Sequence, residues 1–177
     1  MPFGRSTVLG SVIAALVAAD IAPVVIVTGA DSAAVEASLE SAPVQLIRNP
    51  DPTRGMVSSI RVGVGGLPSS LHRFLIALGD QPRIRPGDLS HLMQEHRMSG
   101  KGIALPTYRG KRGHPVLFGS SYRQAILGLT DQQTLRDLIH AHRDDCLEVA
   151  CDSDAYVRDL DTQEQYQDEF RRSHAGD

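Results

Sequence analysis

Short, wholly apolar runs separated by helical stretches constrain this chain more than any other feature. Val24–Thr28 reads VVIVT and Phe74–Leu78 reads FLIAL, without the polar alternation of a strand that keeps one face wet. Runs of this kind are expected where helices cover a strand on both faces, which places both at the centre of a sheet. Val44–Arg48, Gly102–Pro106, Val116–Phe118, Leu147–Ala150 and Tyr156–Leu160 read as further strands. Between them lie helical patterns. One runs from Val8 to Ala19 behind Ser6 or Thr7 as N-cap, and one from Ser32 to about Leu39 behind Asp31. Others begin at about Val57, run from Pro86 through Met98, and cover Gln132–His142 behind Thr130 or Asp131. A last helix is expected from Thr162, whose partner Gln165 completes a T-x-x-Q capping box. Alternation of strand and helix predicts βαβ crossovers, hence one three-layer α/β domain over residues 1–172 with a mostly parallel sheet and a polar tail at 173–177.

A chain of 177 residues can bury a core without disulfide or metal staples. Its 18 Lys+Arg against 21 Asp+Glu exclude a protein that lives by coating nucleic acid, because that affinity comes from many cations neutralising phosphates. A single phosphate-bearing ligand stays open. Cys146 and Cys151 lack C-x-x-C spacing and a second pair, so they read as free thiols of a reducing cytoplasm and not as a zinc site. Val8–Ala19, following Arg5, has the outline of a secretory signal, but its helical spacing reads equally well as a buried amphipathic helix. The run is shorter than the ~20 apolar residues that span a bilayer, and no membrane association is expected.

In open α/β sheets, ligands bind beyond the carboxyl ends of the strands. Three segments fall there: Thr28-Gly29, Gly79-Asp80-Gln81-Pro82 and Asp159-Leu160-Asp161-Thr162. Asp80 and Asp161 on one edge would make a Mg²⁺ anchor, since that ion takes one or two protein carboxylates and completes its shell with phosphates and water. Each also has a plain reading, as a turn before Pro82 or a residue beside a helix cap. Asn49 to Arg61 reads as a loop that delivers Gly55 and Met56 to a helix head with hydroxyls at its mouth, suited to an anion or a polar base edge, or simply as a capped helix. Tyr108 to Pro115 carries Arg109, Lys111 and Arg112 between glycines, which is either a solvated hairpin tip or a cationic loop for a phosphorylated substrate. His114 as a general base has no Ser or Cys nucleophile placed beside it by any motif, so a hydrolase has little support. His91 with His96, and His140 with His142, lack helical metal-site spacing and read as surface residues.

Taken in order, VTG, NP-x4-GM-x-SSIR-x-G, LGDQP, G-x-RGHPV and DLDT resemble the MobA-like nucleotidyltransferases, and among them the molybdenum cofactor cytidylyltransferase branch. The resemblance runs from Pro2 to about Phe170. It implies a Rossmann-like three-layer α/β/α fold of the nucleotide-diphospho-sugar transferase type. It also implies a Mg²⁺-dependent reaction in which the terminal phosphate of a molybdopterin-type acceptor attacks the α-phosphorus of CTP, with GTP as the less favoured nucleotide, and pyrophosphate leaves. Carried over by position, Asp80 is the catalytic metal ligand and Asp161 a second one. Thr28, Gly29, Asn49, Gly55, Met56, Ser58 and Ser59 line the nucleotide pocket, and Arg112, Gly113, His114 and Pro115 border the acceptor. A molybdoenzyme is an implied further partner. Family members begin with a central strand, a glycine-rich LAAG-type loop bearing an arginine, and a lysine ahead of a P-F-G segment; here Pro2-Phe3-Gly4 is that segment. The expectation is therefore a sheet with its N-terminal strand missing. It belongs either to an enzyme that starts upstream of Met1 or to a degenerate, non-catalytic homologue that binds a pterin or a partner. Sugar-nucleotide transfer is a third reading, since the same fold hosts it.

Overall fold

The structure, a computed structural model, describes residues 2–3, 6–29, 32–39 and 42–158. Strands β1 (Pro2–Phe3) and β2 (Ser6–Thr7) pair as a short hairpin that opens into α1 (Val8–Ala18). Of the two candidate caps, Thr7 is the one used: its Oγ1 accepts the Gly10 N–H at 2.9 Å. There follow β3 (Val24–Thr28), α2 (Ala33–Ser38), β4 (Val44–Arg48), α3 (Met56–Gly66), β5 (Arg73–Ile76) and α4 (Pro86–Ser99). The second half comprises β6 (Ile103–Tyr108), β7 (Lys111–Arg112), β8 (Val116–Gly119), α5 (Arg123–Leu127), α6 (Leu135–Ala141) and β9 (Cys146–Ala150). Among the described residues no helix is long and apolar enough to cross a membrane.

The strands form two main sheets. β3 and β4 pair in parallel, with Val24 opposite Val44, while β8 runs antiparallel between β5 and β6 and β9 lies parallel on the far side of β6. β5, β6 and β9 thus point one way, with β8 against them and β7 as a two-residue flap on β6. The period-two geometry of a strand separates the faces cleanly. Ile103, Leu105, Val116 and Phe118 join Phe74 in a core closed by α3, α5 and α6. Ala104 and Leu117 face the other way and meet Leu92 of α4, and Leu89 of the same helix packs with Val12 and Leu16 of α1. Two covered faces make the three layers that the sequence implies. β3 and β5 are nevertheless not central. Among the described residues each pairs on one side only, and Val25, Ile26, Val27, Leu75 and Ile76 stay half-buried, because a strand edge without a neighbour lets solvent reach its side chains.

Three local expectations need correction. Tyr156 is not the start of a strand: Asp154–Tyr156 forms a 3-10 turn, with Ser153 Oγ accepting the Ala155 N–H at 3.2 Å. The helix over Gln132–His142 starts later, at Leu135, because Thr134 and Asp137 satisfy each other's backbone N–H groups in a reciprocal capping box, whereas Thr130 makes only half of one, its N–H donating to Gln133 Oε1 at 2.9 Å. His96 is buried on α4, not exposed. The Asp31 cap, the Asp159–Thr162 segment and the helix expected from Thr162 lie outside the described residues.

Burial, reinforced by Arg73, holds the His96 imidazole below its ordinary range, with Gly102 and Asp145 opposing more weakly. The unfolded chain therefore takes up a proton near pH 6.5 that the folded chain resists, so His96 favours folding above that pH and loses its contribution as pH falls. Unfolding midpoints in urea should drop between pH 7.5 and 5 with a slope of up to ~1.4 kcal/mol per pH unit from this residue. His96→Leu should flatten the profile; an unchanged slope would assign the acid sensitivity elsewhere.

Candidate functional site

Two groups of side chains gather at the carboxyl ends of the strands. The first is organised by Asn49, which follows β4 and is only 2% exposed. Its N–H donates to the Thr28 carbonyl at 2.8 Å, joining the ends of β3 and β4. Its side-chain oxygen accepts the Asp51 N–H at 3.0 Å, and its amide nitrogen donates to Ser58 Oγ at 2.8 Å and Ser59 Oγ at 2.9 Å. Ser58 in turn donates to the Gly55 carbonyl at 2.7 Å. The amide of Asn49 is thus spent on building the loop, and what the loop presents is the head of α3. Gly55, at φ 85°, turns the chain there as few side-chain-bearing residues could, and leaves Met56 67% exposed at the first helical position. Thr28 Oγ1 is buried without a hydrogen-bond partner among the described residues, an orphaned polar atom at the mouth of the same group. Gly29 sits beside Pro52.

Arg54 and Arg61 flank this helix head, and both reach Asp131, in the connection between α5 and α6, at 2.8 and 2.5 Å. The Arg54 guanidinium first, then Arg61, holds the Asp131 carboxyl below the usual carboxylate range. The arginines are thereby braced against the protein. Sequence reasoning missed this brace, since Asp131 reads there as a helix cap.

The second group surrounds Asp80. Beyond β5 the chain turns through Gly79 and half-buried Asp80 to Gln81, which is 2% exposed and directs Nε2 to the Tyr156 carbonyl at 3.4 Å. The same carbonyl accepts the His114 N–H at 2.9 Å, while Gly113 N–H donates to the Pro106 carbonyl at 2.9 Å. Asp80-Gln81 and Gly113-His114, separate in sequence, are therefore neighbours in space. The peptide between His114 and Pro115 is cis, and Pro115 is buried. Arg112 pairs through Nε and Nη2 with Glu148 Oε1 on β9, at 2.8 and 2.6 Å, so it holds the flap to the sheet. Arg109 stacks over the Tyr108 ring at 5.2 Å, at the hairpin tip where Arg109 and Gly110 both take positive φ. Among the described residues no group of three or more His, Cys, Asp or Glu could hold a metal ion, and Asp161 lies outside them. A single carboxylate at a strand end still fits Mg²⁺, which completes its shell with phosphate and water oxygens.

This order of strand ends, with a helix head on one side and the Asp80 turn facing the His114 loop on the other, is matched at the sequence level. The profile of the MobA-like NTP transferase domain aligns with residues 1–146. The chain belongs to the MobA-like NTP transferase family. Among curated proteins, nicotine blue oxidoreductase of Paenarthrobacter nicotinovorans is 33% identical over 108 residues, 58% of this chain and 52% of that protein. The chain thus spans about half the length of this curated relative. A nucleotidyl transferase from Methanothermobacter superposes with a TM-score of 0.85 at 20% identity, over 100% of this chain and 85% of its own. A Mycobacterium tuberculosis protein solved in complex with manganese superposes with a TM-score of 0.80 at 24% identity, over 97% and 90% of the two chains. At these identities the likeness establishes the Rossmann-like nucleotidyltransferase fold that the MobA-like chain shares with them.

Proposed function

We propose that the chain is a Mg²⁺-dependent nucleotidyltransferase that joins the nucleoside monophosphate of CTP, with GTP as the less favoured nucleotide, to a molybdopterin-type acceptor and releases pyrophosphate. The observation that carries this reading is the meeting of Asp80-Gln81 with Gly113-His114 at Tyr156, in a member of a family named for NTP transfer. Asp80 would hold the ion, with Asp161 as a second ligand. When bound, the metal neutralises charge that builds on the transferring and leaving phosphates. The remaining work falls to positioning and fixed charge, because phosphoryl chemistry needs little covalent help from a protein. The head of α3, which has no side-chain cap, favours an anion or a base edge, the orphaned Thr28 hydroxyl offers one more polar contact, and Gly29, Asn49, Gly55, Met56, Ser58 and Ser59 shape the rest of the nucleotide side. Arg109 and Lys111 at the hairpin tip draw a phosphorylated acceptor towards Gly113, His114 and Pro115, and Arg112 keeps that flap in place through Glu148. We assign the reaction to the cytoplasm, supported by two free thiols, Cys146 and Cys151.

A second reading, a redox enzyme, is favoured by one observation: the curated relative is named as an oxidoreductase. The test measures pyrophosphate release by the full protein, purified from its own cells, with each NTP in turn, Mg²⁺ and molybdopterin. Release with CTP that depends on both acceptor and Mg²⁺ is expected. No release with any nucleotide would overturn the transferase reading. Retained pterin binding would then leave the non-catalytic homologue, and reduction of nicotine blue would establish the redox one.

A further inference from the structure

Tyr156 belongs to no motif, and its ring and its backbone do different things. The ring, 2% exposed, is packed among Val12, Leu16, Ile84 and Leu89, so the residue is anchored to α1 and α4. Its carbonyl emerges between the two loops of the Asp80 group and receives the His114 N–H at 2.9 Å and the Gln81 side chain at 3.4 Å. The approach leaves no room for a side chain at position 113: a Cβ on Gly113 would lie 2.0 Å from the Tyr156 oxygen and 2.6 Å from its carbonyl carbon. Glycine is needed here for close approach and not for an unusual φ. The turn that aims the carbonyl is closed by Ser153 Oγ on the Ala155 N–H and by Val157 N–H on the Asp154 carbonyl at 3.1 Å.

We propose that Tyr156 is a positioning residue: its core-anchored carbonyl sets the separation between the Asp80-Gln81 turn and the Gly113-His114 loop, and so between metal side and acceptor side. The kinetic half of this inference rests on the transferase reading; the geometric half does not. Gly113→Ala must push the loop off the carbonyl, whereas Gly87→Ala, where an added Cβ meets nothing within 4 Å, serves as the control. In Gly113→Ala the His114 amide should exchange with solvent at least ~10-fold faster, and the side-chain amide protons of Gln81 should exchange faster with it, because both donors share one acceptor. Turnover should fall roughly 10- to 100-fold with the KM for nucleotide unchanged, as expected for a displacement of about 1 Å away from the nucleotide side. Gln81→Leu should lower turnover while leaving the His114 amide protected. Unchanged His114 exchange in Gly113→Ala, or faster exchange there without any change at the Gln81 side-chain amide, would overturn the shared anchor. If exchange couples the loops but turnover is normal, the positioning role fails while the transferase reading stands. If wild type turns over no nucleotide, the exchange result alone decides the anchor.

Discussion

Asp80→Asn should lower nucleotidyl transfer by about 10³-fold while leaving the protein folded. The substitution preserves shape and removes the carboxylate that would hold the ion at the end of β5. Metal stabilisation of developing phosphate charge is worth several kcal/mol, and ~4 kcal/mol corresponds to roughly 10³ in rate. Asp80 is half-buried on a turn beyond the strand, outside the packed clusters, so the thermal midpoint should move by no more than about 3 °C, near what ~1 kcal/mol produces in a domain of this size. The measurement is steady-state pyrophosphate release at saturating Mg²⁺ beside a melt of the same preparation. Activity above a tenth of wild type would remove Asp80 from the metal.

The largest effect on stability is expected from Phe118→Ala. Phe118 lies on β8, is 0% exposed, stacks on Phe74 of the neighbouring strand with centroids 5.8 Å apart and meets the Tyr122 ring at a tilt with centroids 6.1 Å apart. Ile103 and Leu105 of β6 share its core with Ile126 of α5 and Leu138 of α6, so the cavity would be walled by elements that cannot all collapse inwards. Loss of a buried phenyl costs about 3–5 kcal/mol. At ~2–4 °C per kcal/mol the melting point should fall by roughly 6–20 °C. Leu46→Ala, on exposed β4, should stay within about 0.5 kcal/mol of wild type. A loss below ~1 kcal/mol at Phe118 would mean that the aromatic stack does not hold this sheet. The consequence reaches the site, since β8 begins directly after the His114–Pro115 bond and pairs with the strand that ends at the Asp80 turn.

Strand and helix order were legible from VVIVT, VQLIR and the runs that follow because short runs of Val, Ile and Leu alternate with stretches of helical period and are bounded by turn residues. α5 was not, since five residues carry too little period, and the late start of α6 turned on which hydroxyl had a carboxylate three positions on. Proximity of Asp80 to the strand edge was readable from FLIAL ending in Gly79. The build of the Asn49 loop was readable only as a set of polar residues, because nothing in NP-x4-GM-x-SSIR says that the asparagine amide faces inwards to two serines instead of outwards to a ligand.

The layered α/β architecture and the placement of the candidate residues at the strand ends were determined by the amino-acid sequence alone, because apolar periodicity and turn residues act locally. Tertiary structure alone decided the rest. His96 is buried because of what packs on α4, and Asp131 meets Arg54 and Arg61 across 77 and 70 positions of chain. The Tyr156 carbonyl became the meeting point of two loops for the same reason: every residue has a carbonyl, so only the path of the chain can single one out.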